Sequence, residues 1–270
     1  MHPELFNLGP VHIASYGVMT LIGYTAAIWY AHANLVRMQL DADRFWNLVT
    51  AIIIGALLGG KLLYVAIYWH GMGADFSGRL REALTGIRYG FVFYGGLLGA
   101  LGLSWWYARR AKIRFWQTAD CFGPAIALGH AFGRIGCFLA GCCYGRIAPR
   151  WAGVSFSDPQ CLVPASLLGV PLYPVQLFES AANFALFAVL HRLLTKKSAG
   201  YGKYGIVMLG YAGGYAVIRF ITEFFRGDDR GGALLGLSPS QLLALSAAAA
   251  IAAVYRVLPE RKPGRPAGKD

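Results

Sequence analysis

The sequence predicts an all-α integral membrane protein of about seven spanning helices, with its N-terminus outside and its C-terminus in the cytoplasm. Three observations carry that prediction. Hydrophobic residues make up 56% of the chain and charged residues only 14%, where a soluble domain carries roughly a quarter charged. The mean hydropathy is +0.47 over all 270 residues. The apolar residues fall in stretches of the roughly 20 residues that a spanning helix needs. These lie at roughly 12–34, 48–69, 90–108, 119–139, 175–194, 204–225 and 240–257.

The links between the stretches set the orientation. One set carries Arg37 and Arg44, then Arg109, Arg110, Lys112 and Arg114. It continues with Arg192, Lys196, Lys197 and Lys203, and with the basic residues from Arg256 to Lys269: fifteen Lys and Arg in all. The other set holds seven: Arg79, Arg81, Arg88, Arg146, Arg150, Arg226 and Arg230. The richer set belongs in the cytoplasm by the positive-inside rule. The net charge of +12 is therefore a property of loops near anionic lipid. No polar segment interleaves basic and aromatic residues, which argues against nucleic acid as a partner. Residues 1–258 read as one transmembrane domain and 259–270 as a disordered basic tail. The first ten residues lack Lys and Arg, so the first apolar stretch is expected to stay as a membrane helix rather than leave as a signal peptide.

Small residues recur four apart, at Gly55 and Gly59, Gly95 and Gly99, Gly129 and Gly133, and Gly210 and Gly214. Such pairs let helices approach closely in lipid. Five cysteines are present without a CxxC pair, which argues against a zinc or iron–sulfur site. Cys137, Cys142 and Cys143 read as a thiol cluster, with a disulfide from it to Cys161 as one expectation. Leu139-Ala140-Gly141-Cys142 has the look of a lipidation box, but it lies mid-chain.

Three basic residues fall inside apolar stretches: Lys61, Arg134 and Arg219. A charge at the bilayer centre costs at least about 2.5–3.5 kcal/mol, so such residues face the bundle interior and pair. His130, Arg134 and Cys137 are spaced i, i+4, i+7 and share a helix face. Tyr215, Arg219, Glu223 and Arg226 form a second stripe, in which Glu223 is placed to pair with Arg219 or Arg226. Both clusters fall near the outer ends of their spans, as do Tyr16 and Tyr94. Two guanidinium forks suit a phosphate, and the phosphate at that depth is a phospholipid headgroup.

Nearly end to end, the chain resembles the prolipoprotein diacylglyceryl transferase family. The resemblance rests on Tyr16-Gly17, Gly60-Lys61, Tyr94-Gly95-Gly96, Asp120 and Pro124, and Gly133-Arg134-Ile135-Gly136. It continues with Tyr173-Pro174-Val175-Gln176-Leu177-Phe178-Glu179 and the run from Arg219 to Arg226. It implies seven spans and a site toward the outer leaflet of a bacterial cytoplasmic membrane. It also implies transfer of the diacylglyceryl group of phosphatidylglycerol to the lipobox cysteine of a preprolipoprotein, without metal or cofactor. Arg134 and Arg219 would hold the phosphate, with His130 and Tyr94 as the other catalytic candidates. Tyr16, Lys61, Cys137, Gly145, Gln176, Glu179, Tyr215, Glu223 and Arg226 would line the site.

The chain departs from the family pattern at Tyr94 and Tyr173, where the family has histidine. It departs again at Cys137 and Ala140, where the family has asparagine, and at Cys142, where it has glutamate. His130 is the candidate replacement base. Two other readings are a related transferase with a different acceptor and a lipid transporter.

Overall fold

The protein is described by a computed structural model covering residues 3–8, 11–73, 75–85, 90–197, 202–228 and 237–260. A hairpin of β1 (Glu4–Leu8) and β2 (Val11–Ala14) leads into α1 (Ser15–His32), followed by α2 (Leu35–Met38), α3 (Ala42–Tyr68) and α4 (Phe76–Thr85). Next come α5 (Phe93–Arg110), α6 (Phe115–Ala140), the short pair β3 (Val154–Ser155) and β4 (Pro171–Leu172), α7 (Val175–Lys197), α8 (Ile206–Glu223) and α9 (Pro239–Val257). Each predicted stretch holds a helix of 18 or more residues. Those in 42–71, 115–140, 175–196 and 239–257 are both long and apolar enough to cross a membrane. α1, α5 and α8, at 18 residues each, reach about 27 Å, and polar and charged residues (tyrosines and His32 in α1, Arg109 and Arg110 in α5, Arg219 and Glu223 in α8) dilute their apolar character.

Among the described residues, the departures from a purely helical reading include two small sheets, each of two antiparallel strands. The second belongs to the link between α6 and α7, which is not simply a polar loop. Phe156, Cys161, Val163 and Leu172 are buried there together, with Phe138, Tyr144, Leu167, Leu168 and Val170 packed around them. Apolar residues separated by turns fold back and bury one another even without long elements. The basic run from Arg261 to Lys269 lies outside the described residues, whereas the Pro259 carbonyl accepts from Tyr204 N at 3.0 Å.

Two compact units emerge, one comprising Met38–Phe115 and the other Met1–Arg37 with Trp116–Asp270. In the first, α3 begins at Asp41, whose side chain accepts from Arg44 N at 2.8 Å, satisfying one of the free amides of the first turn. α3 and α5 then meet backbone to backbone. A Cβ on Gly55 would strike the Gly99 carbonyl, and one on Gly59 would strike that of Gly95. The four-residue glycine spacing is the reason these helices approach so closely.

In the second unit, Gly23 of α1 lies against Gly129 of α6, and Gly214 of α8 against Leu186 of α7. The start of α8 has no side-chain cap of its own. It is capped from α6 instead. Buried Asp120 accepts from Gly205 N (2.8 Å) and Met208 N (3.2 Å), and from Val207 N at 2.7 Å. A carboxylate suits that helix end by both hydrogen bonding and dipole. The contact sets α6 and α8 side by side in the same direction. α9 starts with a capping box, Ser238 and Gln241 exchanging bonds of 3.0 and 3.3 Å.

Candidate active site

About 14 residues, or roughly 21 Å, along α6 from Asp120 stands Arg134. Its Nε is paired with Glu179 Oε2. Arg219 of α8 reaches the other oxygen of the same carboxylate, with Nη1 3.1 Å from Oε1. Glu179 lies in the first turns of α7 and is 0% exposed. The two arginines predicted to converge therefore do so, on one fully buried carboxylate. Thr222 donates to Glu179 Oε1 at 2.9 Å. Arg219 continues outward with Nη2 2.5 Å from Glu223 Oε2 and 2.9 Å from Ser240 Oγ at the start of α9. Four elements thus hold one network, and a buried charge tolerates such a place only when paired and hydrogen-bonded.

Arg226 completes it in a way the helical stripe did not foretell. α8 ends at Glu223, and three i→i+3 turns follow, from Phe224 N to Ile221 O, Phe225 N to Thr222 O and Arg226 N to Glu223 O. These turn Arg226 back, so that its Nη1 lies 3.9 Å from Glu179 Oε1. Its Nε and Nη2 donate to both oxygens of Asp228 at 2.8 Å. Burial opposes the charge, but the Asp228 bonds and the Cys143 thiol raise the guanidinium pKa above its ordinary value. Three arginines (134, 219, 226) face three carboxylates (179, 223, 228), so the network is balanced. Arg134 uses Nε for Glu179 and Nη2 for Tyr215 OH at 3.4 Å. That leaves part of its fork of five donors for a ligand.

Backbone pairing fixes the Arg226 segment. Gly145 bridges to Arg226, Arg146 N donates to Phe225 O (2.9 Å), and Gly227 N to Tyr144 O (3.1 Å). On its other side Gly145 abuts Tyr173, whose carbonyl a Cβ would strike. Its lack of a side chain is what lets the three segments meet. Gln176, only 1% exposed, donates from Nε2 to the Cys142 carbonyl at 2.8 Å. Its Oε1 is buried without a hydrogen-bond partner among the described residues.

His130 stacks on Tyr215 with ring centroids 4.4 Å apart, and its Nδ1 is 3.0 Å from Tyr211 OH. The histidine joins the arginine network through Tyr215, which touches both. Tyr16 is half-exposed and packs on Gly136. With Cys142 it lines a cavity of about 470 Å³ together with Pro3, Glu4, Ala140 and Leu162.

Cys137, Cys142 and Cys143 have their sulfurs within 4.8 Å of one another. The thiol cluster read from the sequence is thus present, and the turn at the end of α6 brings it together. The five cysteines form no disulfide among the described residues, and Cys161 sits in the apolar cluster of the link rather than bonded to the trio. Hydrogen bonds with Cys137 and Cys142, and then Arg226, press the Cys143 thiol pKa down. Those with Cys137 and Cys143 push that of Cys142 up.

Lys61 and Tyr94 belong to the other unit. Lys61 Nζ lies 5.3 Å from the Tyr64 ring centroid and 5.9 Å from that of Phe91. Tyr94 is half-exposed, with its ring against Phe93. Sequence reasoning missed Asp228, Ser240, Thr222 and Tyr211. Asp228, two residues past Arg226, and Thr222, one turn after Ile218 on the arginine helix, carried a local signal. Ser240 and Tyr211 carried none, because their partners are distant in sequence.

The chain matches the prolipoprotein diacylglyceryl transferase family over residues 3–257. It is 34% identical over 249 residues to the phosphatidylglycerol–prolipoprotein diacylglyceryl transferase of Clostridium tetani (strain Massachusetts / E88), covering 91% of this chain and 93% of that one. It is 36% identical over 243 residues to the transferase of that name numbered 2 from Clostridium perfringens (strain 13 / Type A), covering 90% and 88%. To the Pseudoalteromonas atlantica (strain T6c / ATCC BAA-1087) enzyme it is 32% identical over 248 residues, covering 89% and 83%. With an arginine pair gathered on one buried carboxylate and a family match across nearly its whole length, the chain belongs to the prolipoprotein diacylglyceryl transferase family.

Proposed function

We infer that this protein transfers the diacylglyceryl group of phosphatidylglycerol to the lipobox cysteine of preprolipoproteins, the first step of bacterial lipoprotein maturation. The observation that carries the reading is the meeting of Arg134 and Arg219 on Glu179. The carboxylate fixes both guanidiniums without consuming all their donors, which prepares them for a headgroup phosphate. In the reaction the cysteine sulfur attacks the glycerol carbon that bears the phosphate ester. A carbon–sulfur bond forms, the carbon–oxygen bond breaks, and glycerol phosphate departs with the electron pair. Arg134 and Arg219 take up the charge growing on the phosphate. The thiol, with a pKa near 8.5 when free, gives its proton to a base. His130 fills that role in this reading, held by Tyr211 and Tyr215 beside Arg134.

Tyr16, Cys137, Gly145, Gln176, Glu179, Tyr215, Glu223 and Arg226 line or support the substrate site. Lys61, assigned to lipid binding, and Tyr94, assigned to catalysis, keep those roles by resemblance and belong to the other unit. All seven long helices cross the cytoplasmic membrane, the N-terminus lies outside, and the site opens to the outer leaflet. The basic links and the resemblance support that arrangement.

The test is purified protein with phosphatidylglycerol and a lipobox peptide, read by mass spectrometry for the thioether-linked lipopeptide. Wild type gives product, while Arg134→Ala and Arg219→Ala give none. Full activity of His130→Ala removes it as the base. Absence of product with wild type, beside an active control enzyme, overturns the reading. The cysteines at 137 and 142 favour one variant of it, the same transfer to a different acceptor. Failure to restore lipoprotein modification in a depleted strain, despite normal expression, would select that variant.

A further inference from the structure

We propose that Cys137, Cys142 and Cys143 form a three-thiolate site for one soft d10 metal ion, cuprous copper or zinc. The case starts from the backbone. α6 ends in a Schellman motif, with Gly141 N donating to Phe138 O (3.2 Å) and Cys142 N to Cys137 O (3.1 Å). Gly141 takes the left-handed conformation, φ +76°, that this motif requires. The motif returns the chain over the last turn of the helix and so lays Cys142 against Cys137, five residues earlier. Cys143 then adopts φ +57°, a region that residues other than glycine enter rarely and at a cost of about 1–3 kcal/mol. That turn brings the third sulfur to the other two. The Cys142 carbonyl is pinned by buried Gln176, and the next residue, Tyr144, by Gly227.

The chemistry of the surroundings separates this trio from ordinary core cysteines. Cys161 is packed among Phe156, Val163 and Leu172, where a thiol behaves as a small hydrophobe. The trio instead has the Arg226 guanidinium at Cys143 and Arg134 near Cys137. Cations beside thiols favour the thiolates that ligate metals. Metal–sulfur bonds of about 2.3 Å place three sulfurs roughly 4 Å apart around a shared ion. The present sulfurs all lie within 4.8 Å of one another, so small side-chain rotations suffice. Thiolates select soft ions. No fourth His, Asp, Glu or Cys joins the group among the described residues. Cuprous copper is complete with three sulfurs, whereas zinc would keep a fourth position for water or a substrate thiol. Cys142 also lines the cavity beside Tyr16, which gives the ion a way in. On binding, the three thiols release their protons and the ion staples the end of α6 to the chain that follows.

The test uses the full-length protein in detergent, reduced and kept anaerobic. Cuprous ion is titrated against a competing chelator, and zinc against a chromophoric one. The expected result is one equivalent of either metal per chain, with Cys142→Ser and Cys143→Ser each weakening binding at least about 100-fold. A second readout needs no variant: alkylation of the wild type followed by peptide mass spectrometry. One equivalent of metal should protect all three thiols of 137–143 together and leave Cys161 unchanged. Metal that protects none or only one of the three, or wild-type affinity in both serine variants, overturns the proposal. So does a reduced trio that binds neither ion.

Discussion

Two buried carboxylates stand near opposite ends of the bundle built from α6, α7 and α8, and they are used in opposite ways. Asp120 is 1% exposed and Glu179 0%. Asp120 is met by three backbone amides at the start of α8. Those partners are fixed by the helix and have no donors left to offer. Glu179 is met by side chains: Arg134, Arg219 and Thr222, with Arg226 close by. Each guanidinium carries five donors, so satisfying one carboxylate leaves others free. The backbone-satisfied acid is a structural joint; in the proposed function the arginine-satisfied acid frames a site that still has donors to give a ligand.

Substitutions at the two ends should separate these roles. The largest effect is expected at the guanidinium end. Arg134→Ala should lower transfer to lipobox peptide at least about 10³-fold, the loss expected when charge-stabilising donors are removed. Arg134→Lys should fail to rescue it, because an ammonium lacks the fork. Near-wild-type turnover in Arg134→Lys would break the comparison. Glu179→Gln leaves two buried arginines without their shared charge. It should lower stability by about 3–5 kcal/mol, read as a fall in thermal midpoint in detergent, together with loss of transfer.

Asp120→Asn should cost about 1–3 kcal/mol through weakened capping, again read as a thermal midpoint. Transfer per folded molecule should stay within about threefold of wild type, since on this reading nothing at that end meets substrate. A large loss of transfer at full folding would show the two ends to be coupled. The smallest effects come from a matched pair on α6. A Cβ at Gly123 would lie 3.1 Å from the Val207 carbonyl, whereas at Gly133 it would meet nothing within 4 Å. Gly123→Ala should therefore destabilise by about 1–3 kcal/mol, and Gly133→Ala by no more than about 0.5 kcal/mol. Any fall in transfer by Gly133→Ala at unchanged stability would mark that open space as ground used by substrate.

The elements legible in the sequence were those whose cause is local. Apolar stretches of spanning length gave the seven long helices, because a helix satisfies its own backbone wherever lipid forbids water. Glycines four apart gave the contact of α3 with α5, because spacing along one helix sets which residues share a face. Arg134 and Arg219 were conspicuous because a charge in an apolar run needs a reason. Glu179 entered only as a lining residue, by resemblance, and its arginine partners came from the structure, since nothing within α7 says which neighbour it meets. The fold of the link between α6 and α7 was not legible, because its apolar residues are scattered along the chain and come together only after it folds.

What the sequence determined by itself is therefore the solvent and the inventory: a chain rich in apolar helices, with two arginines inside apolar runs that had to be paired. Tertiary structure decided the pairing. Glu179 joins arginines 45 and 40 residues away, by subtraction of their numbers, and the cap of α6 gathers three cysteines that lack the spacing of a ligand motif. Hydropathy and helical period act over a few turns and can be read along the chain. Which charge meets which is fixed only when helices pack, because the low-dielectric interior penalises every arrangement that leaves one of them alone.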